Sequence, residues 1–457
     1  MPETLAQALG HFAAGLRYRQ LPAAALAMAK TGLIDCAAVI VAGSREPAVQ
    51  SLRKTLAALD GDAESSLYFS AERMPAPDAA WVNSTAGHVL DYDDVARGHP
   101  SVVIVPAILA EGQALGVSGA AIVTAYITGY ETWMELVTRE RDNYQMKGWH
   151  PTPLIGALAA AAACANLRRL DASTSTTALG IAAAQASGIT GSYGTMAKAL
   201  QVGKAAHTGV LSARLAANGI TAAADVLDHE RGFLQAISPS GNVDLETAPQ
   251  MGKRWHSETQ GLGIKRYPMC YCAHRVVDAV LGVVAKRALG ADEVESIEVM
   301  IGRIQAATLK NHRPASGLDA IFSVEFAAAA AIVAGNVGLR EVSDNFVRRS
   351  DVQALIKRVT VSSNDDYDPE WPAMSRYDQV RIRLKDGVVI ESEQVRRALG
   401  DAGRPLSVDD LQRKFFDCLE AGRPELDAVG LFNDLQRIER LPSCRVLFEH
   451  ARNSIAA

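Results

Sequence analysis

Gly188-Ile-Thr-Gly-Ser-Tyr-Gly-Thr-Met-Ala-Lys-Ala-Leu-Gln-Val-Gly-Lys204 interrupts a long alanine-rich region with three glycines, at 188, 191 and 194. Glycine lets backbone turn sharply or come close to another group, so a turn is expected inside an otherwise helical core. Thr195 is placed to cap the helix that follows, and Lys198 falls on its first turn. That helix is expected to run through Ala205, Ala206 and the Val210-Leu211 pair, with the Lys198 ammonium directed back at the glycines. A solvated surface lysine is the competing reading.

The 457 residues are 48% apolar but only 6% aromatic, and alanine and glycine make up the difference. Such a composition suits helices packed closely through small side chains. A net charge of −5 suggests neither nucleic acid nor an anionic membrane surface as partner. No basic segment followed by an apolar one opens the chain, so no signal peptide is expected. The apolar run Leu154 to Cys164 is too short for a bilayer span. Cysteines at 36, 164, 270, 272, 418 and 444 are expected to be reduced thiols of a cytoplasmic protein. Only Cys270-Tyr-Cys272-Ala-His274 is clustered, and its spacing fits neither zinc nor iron–sulfur patterns.

Helical spacing marks Pro22 to Ile40, a segment from Asp78 to the Asp91-Tyr-Asp-Asp94 run, Val102 to Leu115, and about 118 to 138. From Thr152 to Asn218 the chain reads as small-residue helix broken only at the glycine turn, and Ala222 to Leu234 carries a charged helix end. Irregular chain near 239 to 252 precedes a change of texture at about 255. Val294 to Ile301 and Val359 to Ser363 alternate as strands, and Gln379 to Leu384 pairs with Val388 onward through Lys385-Asp-Gly, a hairpin turn. Helices at about 274 to 289, 323 to 335 and 349 to 357 intervene. After Gly400 two further helices, 408 to 421 and 425 to 441, return to the first texture. The expected fold is mainly α with a smaller α+β domain: residues 1–258 and 400–457 helical, 259–399 α+β.

Four stretches carry chemistry. Asp91, Asp93, Asp94, Arg97 and His99 lie within nine residues; three aspartates could hold Mg²⁺, but no second cluster of hard oxygen ligands accompanies them. His150 stands just ahead of a helix opened by Pro151. Lys198 is the third, and Lys265-Arg266, a cation pair suited to carboxylates, the fourth. Helix capping, a surface histidine and a solvated cation pair are the plain structural alternatives. Ligands are expected in a cleft between the two domains. No phosphate loop, dinucleotide fingerprint or nucleophile elbow appears. Histidine, lysine, tyrosine, aspartate and arginine suit removal of a proton beside a carboxylate, whose carbanion-like intermediate needs cations.

Asp91-Tyr-Asp-Asp with Arg97-Gly-His-Pro, Gly148-Trp-His-Pro-Thr, Gly194-Thr-Met-Ala-Lys and Lys265-Arg-Tyr-Pro-Met-Cys resemble, in order, the signature stretches of the MmgE/PrpD family. That family contains 2-methylcitrate dehydratases, cis-aconitate decarboxylases and iminodisuccinate epimerase. The resemblance implies a helical domain built from both chain ends, an α+β lid, a homodimer and no obligatory metal or cofactor. It places Asp91, His99, His150, Lys198 and Lys265 in the active-site crevice. Two positions depart from the decarboxylases: Cys270 stands where they carry a histidine, with His274 close behind, and Ser323-Val-Glu-Phe326 lacks their tyrosine. Tyr144, shortly before Gly-Trp-His-Pro, resembles the epimerase.

The expectation is an enzyme acting on a small di- or tricarboxylate, with neither nucleic acid nor membrane as partner. Catalysis is assigned to His99, His150, Lys198, Tyr144 and Asp91, and substrate binding to Lys265, Arg266, Arg97, Cys270 and His274, without metal. A 2-methylcitrate dehydratase-like hydro-lyase stands first, an epimerase second, and a decarboxylase or a non-catalytic carboxylate binder behind them. The base stays open among His99, His150 and Lys198.

Overall fold

The chain is mainly helical with small sheets. The structure, a computed structural model, describes residues 3–57, 61–369 and 371–451. It has two compact units: Met1–Val89, Asp93–Leu262 and Val408–Ala457 form the first, Leu90–Tyr92 and Gly263–Ser407 the second.

The first unit holds α1 (Leu5–Gly15), α2 (Ala23–Ala42) and α3 (Pro47–Leu56), then the two-residue strands β1 (Ser65–Ser66) and β2 (Arg73–Met74). Six longer helices follow: α4 (Ala76–Val89), α5 (Ser101–Leu115), α6 (Gly119–Arg139), α7 (Pro151–Leu167), α8 (Ala172–Gln185) and α9 (Met196–Ala217). A helix from near the far end of the chain, Val408–Gly422, packs on α2. The segment Ala23–Arg45 is long and apolar enough to cross a membrane, yet 67% of its most apolar window is buried in the protein. Asp35 within it pairs with buried Lys414 at 2.6 Å.

Small side chains set the spacing of α9 from α4 and from α7, on both of which it packs. A Cβ at Gly203 would lie 2.2 Å from the Thr85 hydroxyl and 2.5 Å from the Trp81 carbonyl of α4. One at Gly209 would lie 2.3 Å from the Cβ of Ala160 on α7. Both distances are far inside contact, so α9 approaches each neighbour more closely than any larger residue permits.

Three expectations need correction. The helical run from Thr152 to Asn218 is broken twice: besides the glycine turn, it stops at 168–171, where Arg169 is left-handed (φ 57°) and the Asp171 carboxylate accepts the Thr174 N–H at 2.7 Å to start α8. Ala222 to Leu234 is mostly a series of turns, and the short helix there is Phe233–Ile237. Its polar groups bond elsewhere, Ala224 accepting from the Thr4 hydroxyl and Asp228 from the Leu5 N–H. Thr195 occupies the cap position of α9 but donates its hydroxyl to the Ser192 carbonyl at 2.7 Å instead of capping.

The second unit is built on a four-stranded sheet of order β4-β3-β7-β8. Here β3 (Val294–Gly302) runs parallel to β4 (Val359–Asn364); β5 (Tyr367–Asp368) and β6 (Trp371–Ser375) form a separate ribbon. β7 (Gln379–Leu384) lies antiparallel to β3 and to β8 (Val389–Glu391), which it reaches through a turn with Gly387 at φ 89°. Ile297, Val299 and Ile382 of the sheet bury against Val280 and Phe326 of the helices His274–Lys286 and Val324–Ala334.

The close packing is testable. Gly209→Ala adds helix propensity worth about 1 kcal/mol, but the clash with α7 outweighs it, and a net loss of about 1–3 kcal/mol is expected in urea unfolding. An unchanged midpoint would refute it. On the same helix His207 is half-buried against Trp81, with its Nδ1 accepting from Lys204 at 3.0 Å. Burial first, then the Lys204 charge, lower its pKa from 6.5 to about 4. The unfolded chain thus takes up near pH 6.5 a proton that the folded protein refuses until about pH 4. Stability is expected to fall as pH drops through that window, and less steeply in His207→Gln, as read by urea unfolding at each pH.

Candidate active site

The first unit gathers side chains from the ends of three helices and the loop before a fourth. His88 sits in the last turn of α4, His99 just ahead of α5, His150 at the cap of α7, and Tyr193 and Lys198 at the start of α9. They form one row: ring centroids are 5.0 Å apart for His99 and His88, 5.9 Å for His88 and His150, and 5.0 Å for His150 and Tyr193. The Lys198 ammonium lies 5.8 Å from the Tyr193 ring centre. Lys198 is only 8% exposed, so it is no solvated surface lysine.

Buried carboxylates back the row. Asp93 Oδ2 is 2.8 Å from His88 Nδ1 and 3.4 Å from His99 Nδ1, and that same His99 nitrogen lies 2.7 Å from the Asp94 carbonyl. The Asp94 carboxyl accepts from the Ser101 hydroxyl and N–H. Burial raises its pKa well above the usual carboxylate range, Ser101 opposing and the Asp93 and Asp35 charges adding. The loop is pinned by Trp133, whose indole donates to the Ala96 carbonyl at 2.9 Å and whose ring a Cβ at Gly98 would approach to 2.8 Å. The ligand atoms of His88, Asp93 and His99 lie within 4.8 Å of one another, close enough to hold a metal ion; here they bond to each other. The three aspartates considered for Mg²⁺ have separate partners: Asp93 the histidines, Asp94 Ser101, and Asp91 Lys265.

The glycine turn holds His150 from the other side. The His150 N–H donates to the Gly188 carbonyl at 3.0 Å and the Thr190 N–H to the Gly148 carbonyl at 2.9 Å. Gly188 has φ 135°, and a Cβ there would fall 2.4 Å from Pro153. From α9, Gln201 bonds the backbone of Ile189 and the His150 ring. Tyr144 is buried; burial first and then Glu140 raise its pKa, while nearby Arg97 opposes. Its neighbour Gln145 donates to the Tyr193 hydroxyl at 3.3 Å. Arg97 itself is left-handed (φ 56°) and exposed.

The second unit holds the other expected residues. Asp91, left-handed at φ 50°, receives the buried Lys265 ammonium, 2.7 Å from its carbonyl and 3.3 Å from its carboxylate. Arg266 lies over the Tyr267 ring, and its carbonyl accepts from the Tyr92 hydroxyl. Cys270 is buried; a hydrogen bond from the Cys272 thiol lowers its pKa, with Lys265 helping and burial and Asp91 opposing. His274 is fully buried between Tyr267 and Tyr271 and donates from Nε2 to the Met269 carbonyl at 3.2 Å.

Sequence reasoning passed over His88, Asp93 as a histidine partner, Tyr193 and Gln201. The signals were present: His88 is the polar residue in the last turn of an apolar helix, and Gln201 follows Lys198 by three, on one helical face.

The chain matches the MmgE/PrpD N-terminal domain over residues 7–246 and the MmgE/PrpD C-terminal domain over 267–428. It is similar to cis-aconitate decarboxylase of Homo sapiens, 29% identical over 392 residues, which cover 82% of this chain and 79% of that protein. The cis-aconitate decarboxylase of Aspergillus terreus is 27% identical over 416 residues, 85% of this chain and 84% of its own. A cis-aconitate decarboxylase-like protein of Aspergillus oryzae is 25% identical over 402 residues, 82% of this chain and 83% of its own.

Proposed function

This chain is an enzyme of the MmgE/PrpD family, and we propose that it removes a proton alpha to a carboxylate of a small di- or tricarboxylate, with loss of water as the outcome. The row from His99 to Lys198 carries the reading: three imidazoles, a phenol and a buried ammonium in ring contact suit proton transfer with stabilisation of the charge that develops. Arg97, exposed on the same loop as His99, is the cation proposed to hold a substrate carboxylate.

Decarboxylation is the second reading, and the activity of the similar decarboxylases favours it. Two residues speak against it. Cys270 occupies the place of the decarboxylase histidine, and a thiol is a different acid from an imidazole. Phe326, in the place of their tyrosine, is completely buried in the apolar core of the second unit and offers no hydroxyl. An epimerase would use the same proton abstraction but return the proton to the opposite face. Tyr144, whose neighbour Gln145 reaches the Tyr193 hydroxyl, is the residue that favours it.

Lys198→Met keeps the stem and removes the charge, so kcat is expected to fall at least about 10²-fold with an unchanged unfolding curve. Normal turnover in that variant would remove Lys198 from the site. Proton NMR in D₂O with 2-methylcitrate, citrate, cis-aconitate, malate and iminodisuccinate separates the outcomes. A new vinyl or methyl signal from 2-methylcitrate is expected. Alpha-deuteration with loss of optical purity would indicate the epimerase, and itaconate from cis-aconitate the decarboxylase.

A further inference from the structure

We propose that Gln201 is a positioning residue that fixes His150 as the hydrogen-bond donor of the site, leaving His99 as the proton acceptor. The inference rests on reading the row as the catalytic site, and it settles a choice that residue types alone leave open.

Gln201 reaches from α9 to the glycine turn and binds both backbone groups of Ile189. Its Oε1 accepts the Ile189 N–H at 3.1 Å, and its Nε2 donates to the Ile189 carbonyl at 3.2 Å. Rotating the amide by half a turn would set donor against donor and acceptor against acceptor, so the backbone dictates its orientation. The same Nε2 lies 2.7 Å from His150 Nδ1. An amide nitrogen can only donate, so that ring nitrogen accepts and the proton of the neutral ring sits on Nε2.

His99 is held in the opposite sense. Its Nδ1 lies 2.7 Å from the Asp94 carbonyl, which can only accept, and 3.4 Å from the Asp93 carboxylate. Nδ1 therefore carries the proton, and in the neutral ring the lone pair is on Nε2. His88, 2.8 Å from the same Asp93 oxygen, orients that carboxylate, whose charge stabilises the imidazolium formed when His99 accepts a proton.

The step balances. The substrate C–H bond breaks, its proton goes to His99 Nε2, and its electron pair moves into the adjacent carboxylate. The charge arising on oxygen is met by His150 Nε2–H, donating as a neutral imidazole, and by the Lys198 ammonium. The electron pair then returns from the carboxylate to form the C=C bond, the C–O bond to the neighbouring hydroxyl breaks, and that hydroxyl takes the proton of the His99 imidazolium and leaves as water.

Histidine-selective ¹⁵N labelling of the full chain reads the tautomers directly from ring nitrogen shifts, with His150→Asn and His99→Asn assigning the signals. His150 is expected with an acceptor Nδ1 and a protonated Nε2, and His99 with the reverse. A protonated Nδ1 on His150 overturns the proposal. In Gln201→Glu a carboxylate faces Nδ1 and accepts, so the His150 pattern is expected to invert and kcat to fall about 10²-fold with little change in KM. In Gln201→Ala the two tautomers should mix. Unchanged His150 signals in both variants overturn the proposal. The expected shifts without turnover of any compound in the panel would uphold the positioning role of Gln201 and refute the functional reading, so the two fail separately.

Discussion

The close approach of α9 to α4 and to α7 is the constraint on which the site depends. His88 ends α4, His150 opens α7 and Gln201 lies in the second turn of α9, so their separations follow from how near the helix axes come. Gly203 against Thr85 and Gly209 against Ala160 leave no room for a side chain at either crossing. A larger residue would displace helix ends by fractions of an ångström, and a hydrogen bond of 2.7 Å such as that between Gln201 and His150 does not tolerate it. The alanine-rich composition is thus a geometric requirement of the site as well as a packing device.

Several charges are buried near this apolar assembly, and each is partnered. Asp35 meets Lys414, Asp94 meets Ser101, and Asp93 meets His88 and His99. Burial drives the Asp94 carboxyl toward its neutral form, whereas the imidazoles around Asp93 give its charge a direct partner. Adjacent carboxylates in one loop thereby acquire different characters. Asp91, two residues before Asp93, belongs to the other compact unit and is taken up by Lys265.

Within the second unit two positions differ in chemistry from what the family resemblance implies for the decarboxylases. Cys270 and Phe326 replace an imidazole and a phenol that the family resemblance assigns to the decarboxylases. Phe326 is fixed in the apolar core with Val280 and Ile297 and has no polar role to play. Overall identity of 25–29% to the named relatives goes with a shared scaffold and does not by itself fix the final step.

Much of the fold was legible in the chain. Helical periodicity and the Pro151 start located α7, the glycines located the turn before α9, and the Lys385-Asp-Gly turn located the hairpin of β7 and β8, because these signals act over a few residues. The second break at 168–171 and the turns at 222–232 were not legible, since their polar groups are satisfied through Asp171 capping and by Thr4 and Leu5, more than 200 residues away. Residue types by themselves determined that this protein carries imidazoles and cations suited to proton transfer at a carboxylate. Only the tertiary structure decided that His150 faces an amide donor and His99 a carbonyl acceptor. A histidine's tautomer is set by the atom that meets each ring nitrogen in space, and no periodicity along the chain encodes that meeting.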